Sequence, residues 1–187
     1  MNADLHQSPG RTGVPSRLLR LYYQLADARV VMLALLATIV LGSIMAHEVD
    51  GAMLTALQTS FTPGNARNVI REWGMENIAH FRTVFWLDGY FPVVQAVLLA
   101  SIIARLSAKR GTPGKVLLAL FLTPFLAAAS DYMENLFLLN LLEHLDTLPR
   151  GIVLALSITS SAKMALMAVA VLGIVTIVID RMIRRRT

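Results

Sequence analysis

The chain has 187 residues and no cysteine. This absence excludes a disulfide framework, a thiolate zinc site, an iron–sulfur cluster and a cysteine nucleophile. Charge is also scarce, because 16% of the residues are Asp, Glu, Lys or Arg, against roughly 25% in an ordinary soluble domain. The basic stretch RGTPGK at 110–115 does not follow the Walker pattern, so no phosphate-binding loop is predicted. No nucleic-acid recognition module is visible, and a nucleic-acid partner is not expected.

Apolar residues make up most of what is present. They account for 56% of the chain and occur in long runs instead of alternating with polar residues. A hydrocarbon layer about 30 Å thick is crossed by a helix of about 20 apolar residues. Four segments approach or exceed this length, at residues 30–46, 89–106, 116–142 and 151–179. The sequence therefore predicts an all-α integral membrane protein built as a four-helix bundle.

The segments outside these spans are short. Residues 1–15 are polar and rich in Pro and Gly, which is typical of a disordered arm, and residues 16–187 form the transmembrane domain. Leucines and tyrosines at helical spacing after residue 16 predict an inner amphipathic N-terminal helix. The connection 47–87 predicts one or two amphipathic helices that form an outer cap. We expect its aromatic side chains to anchor it at the interface, with a moving lid as the alternative; these residues are Trp73, Phe81, Phe85 and Trp86.

Basic residues are concentrated on one predicted side of the membrane. They lie before the first span, between the second and third spans, and after the fourth: Arg11, Arg17, Arg20, Arg29, Arg105, Lys109, Arg110, Lys115, Arg181, Arg184, Arg185 and Arg186. Short loops rich in Lys and Arg stay in the cytoplasm. We therefore expect a multi-pass protein of the bacterial cytoplasmic (inner) membrane with both termini in the cytoplasm. The first span is expected to remain in the mature chain.

Charged residues inside the predicted spans are the most informative feature. Asp131, Glu134 and Asn135 follow the spacing i, i+3, i+4 in the third span, and Lys163 interrupts the fourth. Each such charge costs about 2.5–3.5 kcal/mol at the centre of a helix, so these residues normally face the bundle interior and pair. Counted from predicted outer ends at 143 and 151, Asp131 and Lys163 both lie roughly 18 Å deep at 1.5 Å per residue. The equal depth predicts that Lys163 bridges both acids.

This cluster predicts a polar pocket that opens outward. Asp131, Glu134 and Lys163 are the candidate catalytic residues, because two carboxylates beside one cation differ in proton affinity and suit proton transfer. The candidate ligand-binding residues are Asn135, Asp88, Gln95 and Ser160. Ser160 is also spaced for a serine–lysine nucleophilic pair, although ordinary polar packing explains the same spacing. Histidine and acidic residues near the outer side match no metal motif, so no metal site is predicted. The sequence does not indicate whether the protein binds a cofactor.

Two short motifs carry a resemblance to known proteins. LDGYFP at 87–92 and SDYMEN at 130–135 resemble a family of uncharacterised bacterial four-span membrane proteins, over roughly residues 55–175. This resemblance implies the four-span architecture and transfers no activity. The four spans, long outer connection and buried acids are also similar in outline to the sterol-isomerase and sigma-2 receptor group. The residue patterns of that group do not match, so this second likeness is architectural.

Two classes of function fit these observations. In the first, the pocket binds or acts on a lipid-like or amphiphilic small molecule from the surrounding membrane lipids, with proton transfer. In the second, the chain is a non-catalytic accessory or assembly subunit of a larger membrane complex, or a homo-oligomer, and the charges fix helix register. A cavity beside the carboxylates favours the first class, and tight packing around them favours the second.

Overall fold

All regular secondary structure in the computed structural model, which describes residues 15–108 and 112–184, is helical. The all-α prediction is confirmed. Most of the predicted arm, together with Arg11, Lys109, Arg110, Arg185 and Arg186, lies outside the described residues. In chain order the α-helices are α1 (Ser16–Leu25), α2 (Ala28–Glu48), α3 (Gly51–Gln58), α4 (Pro63–Trp73), α5 (Met75–Val84), α6 (Phe91–Ser107), α7 (Lys115–Glu143) and α8 (Arg150–Ile183). A 3₁₀ helix, Phe85–Gly89, connects α5 to α6.

Within the described residues, four helical segments are long and apolar enough to cross a membrane. They are α2, the continuous segment Met75–Ser107, α7 and α8, so the chain is a multi-pass membrane protein. Each segment is longer than its predicted span. The 34 residues of α8, for example, compare with the predicted 151–179, because the helix continues past the apolar run at both of its ends.

The bundle is built around α6, α7 and α8. The α7 and α8 helices pack along most of their length, and α6 packs against both of them and against α2. Gly173 permits the close approach of α7 and α8, because a Cβ atom at this position would lie 2.4 Å from Leu120 Cδ1. Ala34 is the buried residue of α2. The apolar side chains around it are available to contact lipid.

The predicted N-terminal amphipathic helix is α1, which packs where α6 ends and α7 begins. Tyr22 is fully buried there. Its hydroxyl lies 2.6 Å from the Ser107 hydroxyl, and its ring meets the edge of the Phe121 ring at a centroid distance of 5.2 Å. The Arg105 guanidinium donates a hydrogen bond to the Ala26 carbonyl at 3.3 Å. These contacts attach α1 to one end of the bundle, called here the terminal end.

The opposite end of the bundle is covered by α3, α4 and α5, which together are called the cap. The expectation of one or two cap helices was too low, because the short apolar helix α3 precedes the two that were predicted. The Asp50 carboxylate caps α3 by accepting hydrogen bonds from the Ala52 and Met53 backbone amides at 3.0 and 3.1 Å. The second predicted helix ends at Val84 and continues as the 3₁₀ helix, so α6 begins at Phe91.

Two of the aromatic residues expected at the membrane interface lie instead in the core of the cap. Trp73 and Phe81 are 4% and 2% exposed, and their ring centroids are 5.4 Å apart. They belong to one hydrophobic cluster with Leu138, Leu141 and other residues of the α7 and α8 ends. Their anchoring role was wrongly assigned, because these rings fill the space between the cap and the bundle. Trp86, by contrast, is exposed.

Candidate functional site

Lys163 lies between two carboxylates in the bundle interior. Its Nζ atom is 2.9 Å from Asp131 Oδ1 and 2.8 Å from Glu134 Oε1. Glu134 is fully buried, while 21% of the Lys163 side chain is exposed. Asp131 and Glu134 are one helical turn apart on α7, so the flexible lysine of α8 reaches both. The predicted pairing of Lys163 with both acids is confirmed.

Gln58 is a fourth member of this cluster and was not identified from the sequence. It ends α3, and its side-chain amide donates a hydrogen bond to Glu134 Oε1. Gln58 is buried although it is polar. The one sequence feature that marked Gln58 was its position at the end of a short apolar segment. Nothing within that segment indicates that the segment folds over Glu134.

Serine hydroxyls of α8 complete the buried side of the cluster. Ser157 Oγ accepts a hydrogen bond from the Phe61 backbone amide at 2.9 Å, which ties the loop after α3 to the bundle. Ser160 is fully buried and donates to the Leu156 carbonyl at 2.9 Å. The ammonium group of Lys163 meanwhile contacts two carboxylates. This arrangement differs from a serine–lysine nucleophilic pair, in which the lysine nitrogen accepts the serine proton.

A cavity of about 420 Å³ adjoins Lys163 and Asp131 and is called here the Lys163 cavity. The predicted site residues Asp88 and Gln95 line it, and so does Gln58. Glu134 and Ser160 lie behind this lining. The remaining walls are apolar and come from α2, α3, α6 and α8: Met45, Leu54, Phe91, Met164 and Met167. A mostly apolar cavity with a few convergent polar groups is typical of a small-molecule site.

Asp88 brings a third carboxylate to the Lys163 cavity. It lies in the 3₁₀ helix just before α6 and is 9% exposed. The Asn135 side chain hydrogen-bonds to it. The carboxylates of Asp88, Asp131 and Glu134 therefore gather around a single described cation, the ammonium group of Lys163.

Asn135 does not line the Lys163 cavity, but its side chain hydrogen-bonds to Asp88, which does. Asn135 itself lines a separate groove between the 3₁₀ helix and α7, together with Trp86, Tyr132 and other residues. Consecutive helical residues differ in direction by about 100°, so Asn135 and Glu134 leave α7 towards different neighbours. The spacing i, i+3, i+4 placed both on one broad face, and the structure divides that face between two sites.

The two sequence motifs LDGYFP and SDYMEN meet in the fold. The Tyr132 hydroxyl donates a hydrogen bond to the Gly89 carbonyl at 2.6 Å, and Asn135 hydrogen-bonds to Asp88. These contacts hold the 3₁₀ helix against α7. They also fix Asp88 at the edge of the Lys163 cavity.

On the surface of the cap, His80 Nε2 lies 3.0 Å from Glu48 Oε2. Across residues 15–108 and 112–184, no three histidine, aspartate or glutamate side chains are arranged to hold a metal ion.

Comparison of the chain with protein-family models, curated proteins and solved structures gives no match. The geometry of the Lys163 cavity is therefore the basis for inferring the function.

Proposed function

We propose that the Lys163 cavity binds a lipid-like amphiphile and exchanges a proton with its polar group. The observation that supports this is the position of Lys163, which pairs with two acids while it lines a cavity of about 420 Å³. A register-fixing ion pair needs one acid and no cavity. Here the apolar walls suit a hydrocarbon chain, and the polar residues suit a headgroup.

The position of the cluster along the helices supports an amphiphile over a fully apolar ligand. Twenty residues of α8, from Met164 to Ile183, follow Lys163 and extend about 30 Å, the thickness of the hydrocarbon layer. Asp131 follows sixteen residues of α7, or about 24 Å. The cap packs against the outer ends of α7 and α8, so we infer that part of the roughly 18 Å counted from those ends lies outside the hydrocarbon layer. In this proposal the cluster lies near the cap-side boundary of that layer, where lipid headgroups begin.

We infer that a ligand enters the cavity laterally from the membrane, between α2 and α8. Both helices pack on α6, and each contributes methionine side chains to the cavity lining, Met45 from α2 and Met164 and Met167 from α8. Methionine is unbranched and adapts to irregular apolar ligands. A lipid chain can enter here without leaving the hydrocarbon layer.

The residues have different roles in the proposed chemistry. Asp131 lines the cavity, so its carboxylate accepts a proton from the ligand or returns one to it. Lys163 stabilises negative charge that develops on the ligand. Glu134 does not reach the cavity and acts as a positioning residue, because it holds Lys163 from behind together with Gln58.

We further propose that the protein belongs to the cytoplasmic membrane of a bacterium, with both termini in the cytoplasm. The described basic residues near the terminal end support this orientation under the positive-inside rule: Arg17, Arg20, Arg29, Arg105, Lys115, Arg181 and Arg184. The resemblance through LDGYFP and SDYMEN supports a bacterial source.

Native mass spectrometry of the gently extracted protein tests the proposed ligand. The wild type is expected to retain an added mass in the range of a lipid, and Lys163→Met is expected to lose it. Lys115→Met is the matched control, because Lys115 is exposed at the start of α7 and its variant should retain the added mass. Met167→Trp reduces the cavity volume without changing any charge and should also lose it.

Two results would contradict the proposal. One is a wild-type protein that carries no added mass, and the other is retention of the same mass by both Lys163→Met and Met167→Trp. A co-purified protein subunit in place of the lipid, with Asp131→Asn behaving as wild type, would instead support the accessory-subunit function.

A further inference from the structure

More negative than positive charge surrounds the Lys163 cavity. The carboxylates of Asp131 and Glu134 both contact the ammonium group of Lys163, at 2.9 and 2.8 Å. Asp88 brings a third carboxylate to the cavity lining. Among the described residues, Lys163 is the cation of this lining. Its single positive charge can offset only one of the three carboxylates.

Asp88 is the carboxylate of this group that lacks a cation. Within the described part of the chain, no lysine, arginine or histidine forms an ion pair with it. The Asn135 side chain hydrogen-bonds to Asp88 but is neutral. Asp88 is 9% exposed and lines the cavity. A carboxylate held out of water without a cation is costly, and the cavity is the space from which a cation can reach it.

Further hydrogen-bond acceptors lie around the same cavity. Asp131 pairs with Lys163 through its Oδ1 atom, which leaves Oδ2 for another donor. Gln95 also lines the cavity, and the oxygen of its side-chain amide is an acceptor. An ammonium group donates up to three hydrogen bonds and accepts none. It therefore matches the acceptors that Asp88, Asp131 and Gln95 offer.

The size and the walls of the cavity favour an organic cation over a metal ion. A hard metal cation is enclosed by oxygen ligands. The cavity has a volume of about 420 Å³, and much of its wall consists of side chains without oxygen, namely Met45, Leu54, Phe91, Met164 and Met167. A hydrocarbon chain attached to the cation would fill this space and cover these apolar side chains.

We propose that the ligand of the Lys163 cavity is a cationic amphiphile whose ammonium group binds Asp88. This assignment of the charge rests on the function proposed above and adds the chemistry of the headgroup. The hydrocarbon chain lies along the methionine side chains of α2 and α8. The ammonium group lies at Asp88, so Asp131 and Lys163 keep the roles proposed for them towards the rest of the headgroup.

Thermal unfolding in a neutral maltoside detergent tests the charge of the ligand. The two probes are dodecylammonium, which is protonated at neutral pH as a lysine side chain is, and dodecanol, which has the same chain and no charge. A ligand that binds the folded protein raises the midpoint of its unfolding. We expect the wild type to reach the half-maximal rise with about tenfold less dodecylammonium than dodecanol, the factor expected for a hydrogen bond to a charged group.

Asp88→Asn removes the charge with little change in shape, so the preference for dodecylammonium should disappear. Asp146→Asn is the matched control, because Asp146 is exposed between α7 and α8, and this variant should keep the preference. Met167→Trp fills part of the cavity while Asp88 is intact, and it should weaken the binding of both probes. If Asp88→Asn does not fold, the preference of the wild type and the weaker binding in Met167→Trp decide the question.

Two outcomes distinguish a wrong headgroup from a wrong site. Equal binding of the two probes by the wild type, with both weakened in Met167→Trp, would overturn the cationic ligand alone. If neither probe binds in a way that Met167→Trp weakens, the amphiphile site proposed above is overturned as well.

Two further outcomes concern Asp88 itself. An unchanged preference for dodecylammonium in a folded Asp88→Asn variant would overturn its role. Stabilisation by sodium chloride relative to choline chloride, if Asp88→Asn removes it, would also overturn the proposal, because that result would assign an inorganic cation to Asp88.

Discussion

Gln58 of the cap donates a hydrogen bond to Glu134 of the bundle across 76 residues of sequence. The same carboxylate contacts Lys163 at 2.8 Å. The cap is therefore joined to the charged cluster by a polar contact as well as by its hydrophobic core. We therefore expect a substitution of Gln58 to alter the contact between Glu134 and Lys163.

Gln58→Leu should weaken the attachment of the cap to the bundle. The substitution keeps the side-chain volume and removes the donor, which leaves Glu134 with one partner fewer. A buried group that loses its hydrogen bond costs about 1–3 kcal/mol. We expect this loss in the free energy of unfolding, measured by titration with sodium dodecyl sulfate in a mild detergent. Faster proteolysis of the connection 47–87 should accompany it.

The matched control for this prediction is Gln24→Leu, because Gln24 is exposed at the terminal end. It should leave both stability and proteolysis unchanged. If Gln58→Leu behaves like Gln24→Leu, the contact between the cap and Glu134 is not formed in the protein.

Lys163→Met should be strongly destabilising, because it leaves Asp131 and Glu134 buried without a cation. Removing one partner of a buried ion pair costs about 3–5 kcal/mol. Neutralising the acids as well, in the triple variant Asp131→Asn, Glu134→Gln, Lys163→Met, should recover most of that loss. Thermal unfolding in detergent measures both variants. Equal stability of the single and triple variants would show that the three side chains do not interact.

The sequence was sufficient to predict that Asp131, Glu134 and Lys163 meet, because the prediction needed only the geometry of two helices. The spacing of Asp131 and Glu134 placed them one turn apart, and counting residues from the helix ends placed Lys163 at the same level. Gln58 could not be found in this way. Its position depends on how the connection 47–87 folds back over α7, and no periodic pattern encodes that path.

Gly173→Ala should destabilise the contact between α7 and α8. The added methyl group would lie 2.4 Å from Leu120 Cδ1, so Leu120 or the helix must move. Overpacking of this kind costs about 1–3 kcal/mol, and unfolding in detergent measures it. Adding Leu120→Ala should recover part of the loss by making room for the methyl group.

Gly151→Ala is the control on the same helix, because nothing lies within 4 Å of the position that its methyl group would occupy. It should be neutral or slightly stabilising, since alanine favours the helix more than glycine does. A Gly173→Ala variant as stable as Gly151→Ala would argue against the close approach of α7 and α8.

Tyr22→Phe should loosen α1 at the terminal end. The variant keeps the ring contact with Phe121 but removes the hydroxyl group that lies 2.6 Å from Ser107. Loss of one buried hydrogen bond costs about 0.5–1.5 kcal/mol. Hydrogen exchange should become faster in α1 and stay unchanged in the cap. Uniformly faster exchange over both ends of the bundle would instead show that α1 supports the whole fold.

Helices with a strong hydrophobic pattern could be predicted from the sequence more reliably than the neighbours of individual polar residues. The apolar spans and α1 follow from hydrophobic runs and periodicity. Asn135 is separated from Glu134 by one helical step of about 100°, and which neighbour fills each direction is decided by packing. The aromatic residues Trp73 and Phe81 are ambiguous for the same reason, since a core and a membrane interface both favour them.

Solid-state NMR in lipid bilayers tests the central claim most directly. The chain has three lysines, at 109, 115 and 163, so the ¹⁵N signal of the Lys163 ammonium group is the one that remains in the double variant Lys109→Arg, Lys115→Arg. Dipolar recoupling to ¹³C-labelled carboxyl groups should place this nitrogen within about 4 Å of carboxyl carbons from both an aspartate and a glutamate, as in a contact ion pair. These signals should disappear in Asp131→Asn and Glu134→Gln respectively. A Lys163 nitrogen with no nearby carboxyl carbon would contradict the account.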